Sequence, residues 1–243
     1  RWSPPSACWI AGGIISLTGA LSYAELATRM PEEGGEYVYL HRLYHPVFGF
    51  LTGWTSFFVG FSAPIAASAL AFGEYVLAGA TLNSAEYSPE TIDLYKRALG
   101  VTVIIIFTLL HSKGTRSGAL VQNILTTVKI FIVLGIATAG FIVGGFGRSN
   151  LLVSVGTPAG GTAFGTAMML VMFSFSGWNA STYIAGEIKN PRKTLPVSLI
   201  VGTSIVIILY LAVNLYIFHA VPYKDLQGTI AVVEQASVSL FGG

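Results

Sequence analysis

The chain has 243 residues, 53% of them hydrophobic and only 10% charged, with a mean hydropathy of +0.69. Soluble domains carry about 25% charged residues, so the composition is that of a membrane protein and excludes an ordinary soluble domain. A net charge of +2 is too small to suggest nucleic acid, and the single cysteine, Cys8, excludes an intrachain disulfide and argues against a thiolate metal site.

Arg1-Trp2-Ser3-Pro4-Pro5 lacks an initiator Met and runs directly into a full-length apolar span, which is not a signal-peptide pattern. The chain is therefore expected to be a piece of a longer protein. Its charged residues leave six long gaps: Trp2–Ala24, Leu43–Gly73, Ala98–Ser112, Ser117–Gly147 (interrupted by Lys129), Ser149–Gly186 and Thr194–Tyr223. These predict helices over 7–27, 46–79, 94–111, 118–145, 161–186 and 195–221. All but the third reach the ~20 residues a spanning helix needs. The third, between Arg97 and Lys113, needs Asp93–Lys96 in its first turn. The tail from Lys224 to Gly243 reads as an extramembrane connection or short helix. Arg29, Arg42, Lys113, Arg116, Lys189, Arg192 and Lys193 fall in the loops after spans one, three and five, against Arg1, Lys96, Arg97, Arg148 and Lys224 on the other side. The positive-inside rule puts the first group in the cytoplasm.

Glu25 ends the first span within one helical turn of Arg29, and Glu74 lies near the outer end of the second; both read as interfacial or structural. Pro64, mid-span, implies a kink with a freed carbonyl that needs a new partner. Lys129 lies about 16 Å beyond Gly118 at ~1.5 Å per residue, roughly half of a ~30 Å hydrocarbon core. An ammonium there either snorkels to the headgroups or faces a bundle interior, cavity or partner. The fifth span holds Phe173-Ser174-Phe175-Ser176-Gly177-Trp178-Asn179. Glycine and small polar residues at depth invite unwinding, which exposes backbone groups to a zwitterionic ligand, with Phe173 and Trp178 as gate or wall. The same residues also suit plain small-residue helix packing. His41, His45, His111 and His219 sit at span ends without clustering, so no metal site is expected. No catalytic set or phosphate loop is visible, which weighs against a membrane enzyme; no cofactor is expected.

Three separated motifs carry a resemblance. Gly19-Ala20-Leu21-Ser22-Tyr23-Ala24-Glu25-Leu26, followed by Met30-Pro31 and Gly34-Gly35-Glu36-Tyr37-Val38-Tyr39, resembles a signature of the amino acid–polyamine–organocation transporter superfamily. Gly114-Thr115-Arg116 with Val121-Gln122 and Lys129 is similar to its helix five. Phe173 to Asn179, with Glu187, Lys189-Asn190-Pro191-Arg192 and Leu195-Pro196, is similar to its helix six and the following loop. The resemblance covers essentially the whole chain as helices two to seven, nearest to the L-type and related bacterial amino acid permease branches.

The resemblance implies an all-α integral membrane protein, a partial five-plus-five inverted-repeat transporter with helix one and helices eight onward missing. It implies a midplane substrate site between broken helices one and six. The helix-six positions are Phe173, Ser174, Phe175, Ser176, Gly177, Trp178 and Asn179: carbonyls of Phe173, Ser174 and Ser176 toward the substrate's α-amino group, Phe173 as aromatic gate, Asn179 as a side-chain contact. Lys129 matches the lysine that replaces a bound cation in sodium-independent members. The expected function is sodium-independent secondary active transport of amino acids by proton coupling or exchange, in the plasma (cell inner) membrane. The alternative is a non-transporting nutrient sensor or accessory subunit of the same fold. The substrate side chain, the oligomeric state and any accessory subunit are not legible in these residues.

Overall fold

Caps and prolines set where the apolar runs become helices. The computed structural model describes residues 4–79, 87–112, 114–144, 161–226 and 232–242. Arg1, Lys113, Gly145 and Arg148, which bear on the loop charges or span limits, lie outside the described residues. The helices are α1 (Pro4–Arg29), α2 (Glu36–Leu43), α3 (Pro46–Thr55), α4 (Ala63–Gly79), α5 (Pro89–His111), α6 (Thr115–Gly144), α7 (Gly161–Ser174), α8 (Pro191–Ala220) and α9 (Val232–Phe241). No strand occurs among the described residues.

Helices α1, α3, α5 and α8, as described, begin with proline, whose missing N–H costs nothing at a first helical position. His45 caps α3, its Nδ1 accepting from the Val47 amide at 3.3 Å, and Ser88 caps α5, its Oγ accepting from the Thr91 amide at 3.3 Å. This Ser88-Pro89 start lengthens the third apolar run to 23 residues. Asn190 precedes Pro191 in the left-handed region (φ 54°), a conformation asparagine tolerates better than most side chains. Along the helices, Ser22, Thr102, Thr108, Thr138 and Thr166 return their hydroxyls to the carbonyl four residues back, so small polar residues cost little in an apolar run.

Ahead of Pro64, where the sequence implies a kink, lies a π-helical stretch, Ser56–Ser62, between α3 and α4. Proline cannot donate to the preceding turn and its ring crowds that turn's carbonyl. The ladder therefore shifts to i→i−5: Ala63 N–H donates to the Phe58 carbonyl, and Ser62 Oγ bonds the Phe57 carbonyl at 2.7 Å.

Among the described residues, four segments are long and apolar enough to cross a membrane: Ser6–Arg29, Pro46–Ala78, Arg116–Gly140 and Pro191–Ala220. Large apolar side chains stay exposed on every one of them, for instance Ile14, Trp54, Phe131 and Ile208. Helices apolar all round are what a lipid solvent selects, and the chain is a multi-pass membrane protein.

The fold divides into two compact units, one of Arg1–Tyr39 with Thr127–Gly243, the other of Leu40–Thr126. In the second unit α4 packs on α5. A Cβ on Gly73 would come 2.5 Å from the Lys96 carbonyl oxygen, and one on Gly100 3.1 Å from that of Ala69. Lys96 Nζ bonds Glu74 Oε1 at 2.9 Å across this close contact.

In the first unit α1 lies along α8, with α7 beside α1 and α9 against α8. Small residues of α1 form the seam. A Cβ on Gly12 would meet Val171 at 2.6 Å, one on Gly13 would meet Ile207 at 3.1 Å, and one on Gly19 would meet the Trp178 ring at 2.7 Å. Lipid tails give no hydrophobic push between helices, so close small-residue packing supplies the attraction. Three buried layers follow: Cys8 with Val171 and Phe175, Ala20 and Ala24 with Leu199, and Ala27 with Ala185 and Leu195. A fourth, Ala137 with Tyr216, Ala220, Val221 and Ala236, joins α6, α8 and α9.

Candidate functional site: an interrupted helix

α7 stops at Ser174, and the chain turns through residues 175–179 before a 3-10 segment, Ala180–Glu187. Local chemistry explains the stop. Ser176 N–H tightens to the Phe173 carbonyl at 3.0 Å, and Gly177 takes φ +93°, a conformation closed to ordinary L-residues. The helical ladder cannot pass that point. Helical order resumes only where Ala180 N–H meets the Gly177 carbonyl at 3.1 Å.

The seven predicted residues divide by direction. Phe173 is 61% exposed, and Ser174, Ser176 and Gly177 are exposed with it. Phe175 is 4% exposed and anchors the break instead: its ring stands edge-on to Trp9 at 5.9 Å and to Tyr210 at 5.0 Å. Trp178 is half-buried, lying over Gly19 and edge-on to Tyr23 at 5.0 Å. The open rim is thus Phe173, Ser174, Ser176 and Gly177, while Phe175 and Trp178 pin the break to α1 and α8.

Backbone groups at the break are partly spent. Tyr210 of α8 donates its hydroxyl to the Ser174 carbonyl at 2.7 Å, and the Ser174 hydroxyl returns to the Leu170 carbonyl at 3.0 Å. Among the described residues, the amide N–H groups of Gly177, Trp178 and Asn179 find no partner. Such a run of free donors beside free carbonyl lone pairs suits a ligand carrying both charges.

Asn179 turns away from this rim. Its Nδ2 donates to Glu36 Oε2 at 3.2 Å and lies 3.5 Å from the Tyr183 hydroxyl, which itself donates to the Glu36 carboxylate. Glu36 is buried in the first turn of α2. Gly34 and Gly35 bring it there: Gly34 N–H donates to the Tyr183 carbonyl at 3.1 Å, and Gly35 sits at φ +52° with a would-be Cβ 2.7 Å from Thr182 Oγ1. Glu36 and Tyr183, like Tyr210, were not singled out as site residues from the sequence. A carboxylate inside a run of aromatic residues was the available signal for Glu36, since buried acids are paired; Tyr210 gave none.

Lys129 stands exposed on α6, and its ammonium has no hydrogen bond or ion pair among the described residues. Glu25 pairs with Arg29 at 2.6 Å on the helix surface. No group of three metal-ligating side chains occurs among the described residues. A larger apolar groove of about 1010 Å³ runs between α4 and α5, lined by residues including Phe72, Ile104 and Phe107. Of its polar members Ser68, Thr108, His111 and Ser112, the last three are bonded back to carbonyls of their own helix, which leaves it few of the convergent polar groups of a small-molecule site.

By sequence the chain is similar to several characterised transporters. The chain is 31% identical over 226 residues to the b(0,+)-type amino acid transporter 1 of Mus musculus, covering 92% of this chain and 45% of that protein. It is 28% identical over 218 residues to the serine/threonine exchanger SteT of Bacillus subtilis (strain 168), covering 90% and 47%. Against the Asc-type amino acid transporter 1 of Mus musculus it is 29% identical over 240 residues, covering 96% and 44%. The chain therefore spans less than half the length of these relatives. With the family described as "Amino acid permease" matching residues 3–242, the protein belongs to the amino acid permease family of the amino acid–polyamine–organocation superfamily.

Proposed function

We propose that the complete protein is a secondary active transporter of amino acids, working without sodium by exchange or proton coupling. The observation that carries this reading is the break at residues 175–179 between α7 and the 3-10 segment, with its open rim of Phe173, Ser174, Ser176 and Gly177. The substrate's α-amino group bonds the carbonyls of Phe173, Ser174 and Ser176. The first two already accept one bond each and keep a second lone pair. Phe173, unpacked and adjacent, closes over the bound molecule.

The chain supplies helices two to seven of a five-plus-five inverted repeat, with all six apolar runs crossing the bilayer and the loops after the first, third and fifth in the cytoplasm. Alternating access is a rocking of one bundle about the midplane site. Lys129 takes the place of a coupling cation; its unpaired ammonium is available to a helix that precedes this chain in the complete protein. Names of the relatives support both transport and exchange. The test is uptake of labelled amino acids by the full-length protein in proteoliposomes preloaded with unlabelled ones. Uptake stimulated by preloading is expected for at least one amino acid; no uptake across the panel would leave the sensor reading in its place.

A further inference from the structure

We propose that Glu36 is a positioning residue of the transport cycle: it latches the segment below the helix break to the first cytoplasmic loop, and the latch opens when substrate leaves toward the cytoplasm. The inference rests on the transport reading above for its direction, though its geometry stands alone.

Two pieces of chain far apart in sequence meet here. From the loop come Gly34, Gly35 and Glu36; from the segment after the break come Asn179, Thr182 and Tyr183. The Asn179 amide and the Tyr183 hydroxyl both point at one carboxylate, and the Gly34 amide bonds the Tyr183 carbonyl. Thr182 is fully buried directly beneath Gly35. Tyr39, one turn along α2, completes the wall against Tyr23 at 5.7 Å. Burial first, with Thr182 pulling the other way and the Glu36 carboxylate adding to it, raises the Tyr39 phenol above its ordinary range.

This arrangement separates Asn179 from its expected role. An amide committed to Glu36 is not the substrate's side-chain contact; it transmits the position of the loop to the break two residues upstream. The segment it holds is the weaker kind of helix: eight residues of 3-10 geometry, with Ile184 off helical angles (φ −109°, ψ 22°). Held by a carboxylate and two glycine approaches, it stays docked; released, little of its own structure keeps it in place.

Hydrogen–deuterium exchange on the full-length protein in nanodiscs tests the latch. Tyr183→Phe removes one hydroxyl and keeps the ring, and Glu36→Gln keeps the shape while replacing the acceptor carboxylate. Both variants are expected to exchange severalfold faster than the unaltered protein in peptides covering 34–39 and 180–187 together, with α8 peptides unchanged. In the same variants the KM for external amino acid should rise severalfold, because the latched, outward-facing state is less populated. A merely structural defect would instead speed exchange in α8 as well and lower kcat with KM unmoved. Unchanged exchange in Tyr183→Phe overturns the latch, as does faster exchange with an unaltered KM. Should the unaltered protein carry no amino acid at all, the transport reading fails, and the exchange data alone decide whether the two segments are latched.

Discussion

Phe173 and Phe175 are two residues apart, one exposed and the other buried. Phe175 is packed among Cys8, Val171, Trp9 and Tyr210, whereas Phe173 touches no such cluster. Replacing each by alanine should separate fold from function. Phe175→Ala removes a buried ring and is expected to cost about 3 kcal/mol, read as a lower thermal unfolding midpoint in detergent. Phe173→Ala should leave that midpoint unmoved while substrate dissociates severalfold faster, measured by binding of a labelled amino acid to the full-length protein. A midpoint that falls equally in both variants would contradict the division of the rim from its anchor. From composition alone the two phenylalanines are indistinguishable; their directions follow from where the helix stops.

At the scale of elements, what sequence reveals depends on how local the cause is. Helices α1, α5, α6 and α8 lie largely within apolar gaps, since a charge inside an apolar run is costly, and the limits of α5 and α8 trace to Ser88-Pro89 and Asn190-Pro191. Pro64 removes the donor that would meet the Gly60 carbonyl, and the stretch before it is π-helical, with Ser62 bonding the Phe57 carbonyl inside it. The turn at 175–179 sits where glycine and small polar residues concentrate. Its supports were illegible: Tyr210 reaches Ser174 from 36 positions away, and Tyr183 reaches Glu36 from 147. Nothing in periodicity pairs such residues. The break itself hangs on one backbone angle, φ +93° at Gly177. Gly177→Ala puts a side chain into that region at about 1–2 kcal/mol. The expected result is a lowered unfolding midpoint together with lost uptake; normal uptake would mean the positive angle is not needed.

In the whole molecule, the proposed sodium-independent transport rests on Lys129, whose amine would do the work of a coupling ion. Lys129 lies in a span with no other charge between Arg116 and Gly140, and it has no partner among the described residues. A group so costly in lipid persists where it has a task. The chain spans less than half the length of the relatives it matches, and on the proposed reading the partner of this ammonium lies in the remainder. The most direct measurement is amino acid uptake by full-length protein in proteoliposomes with all sodium replaced by choline, before and after Lys129→Ala. The unaltered protein should transport as well in choline as in sodium, and the variant, folded by its unfolding midpoint, should not transport in either. Near-normal uptake by Lys129→Ala, or strict sodium dependence of the unaltered protein, would contradict the account.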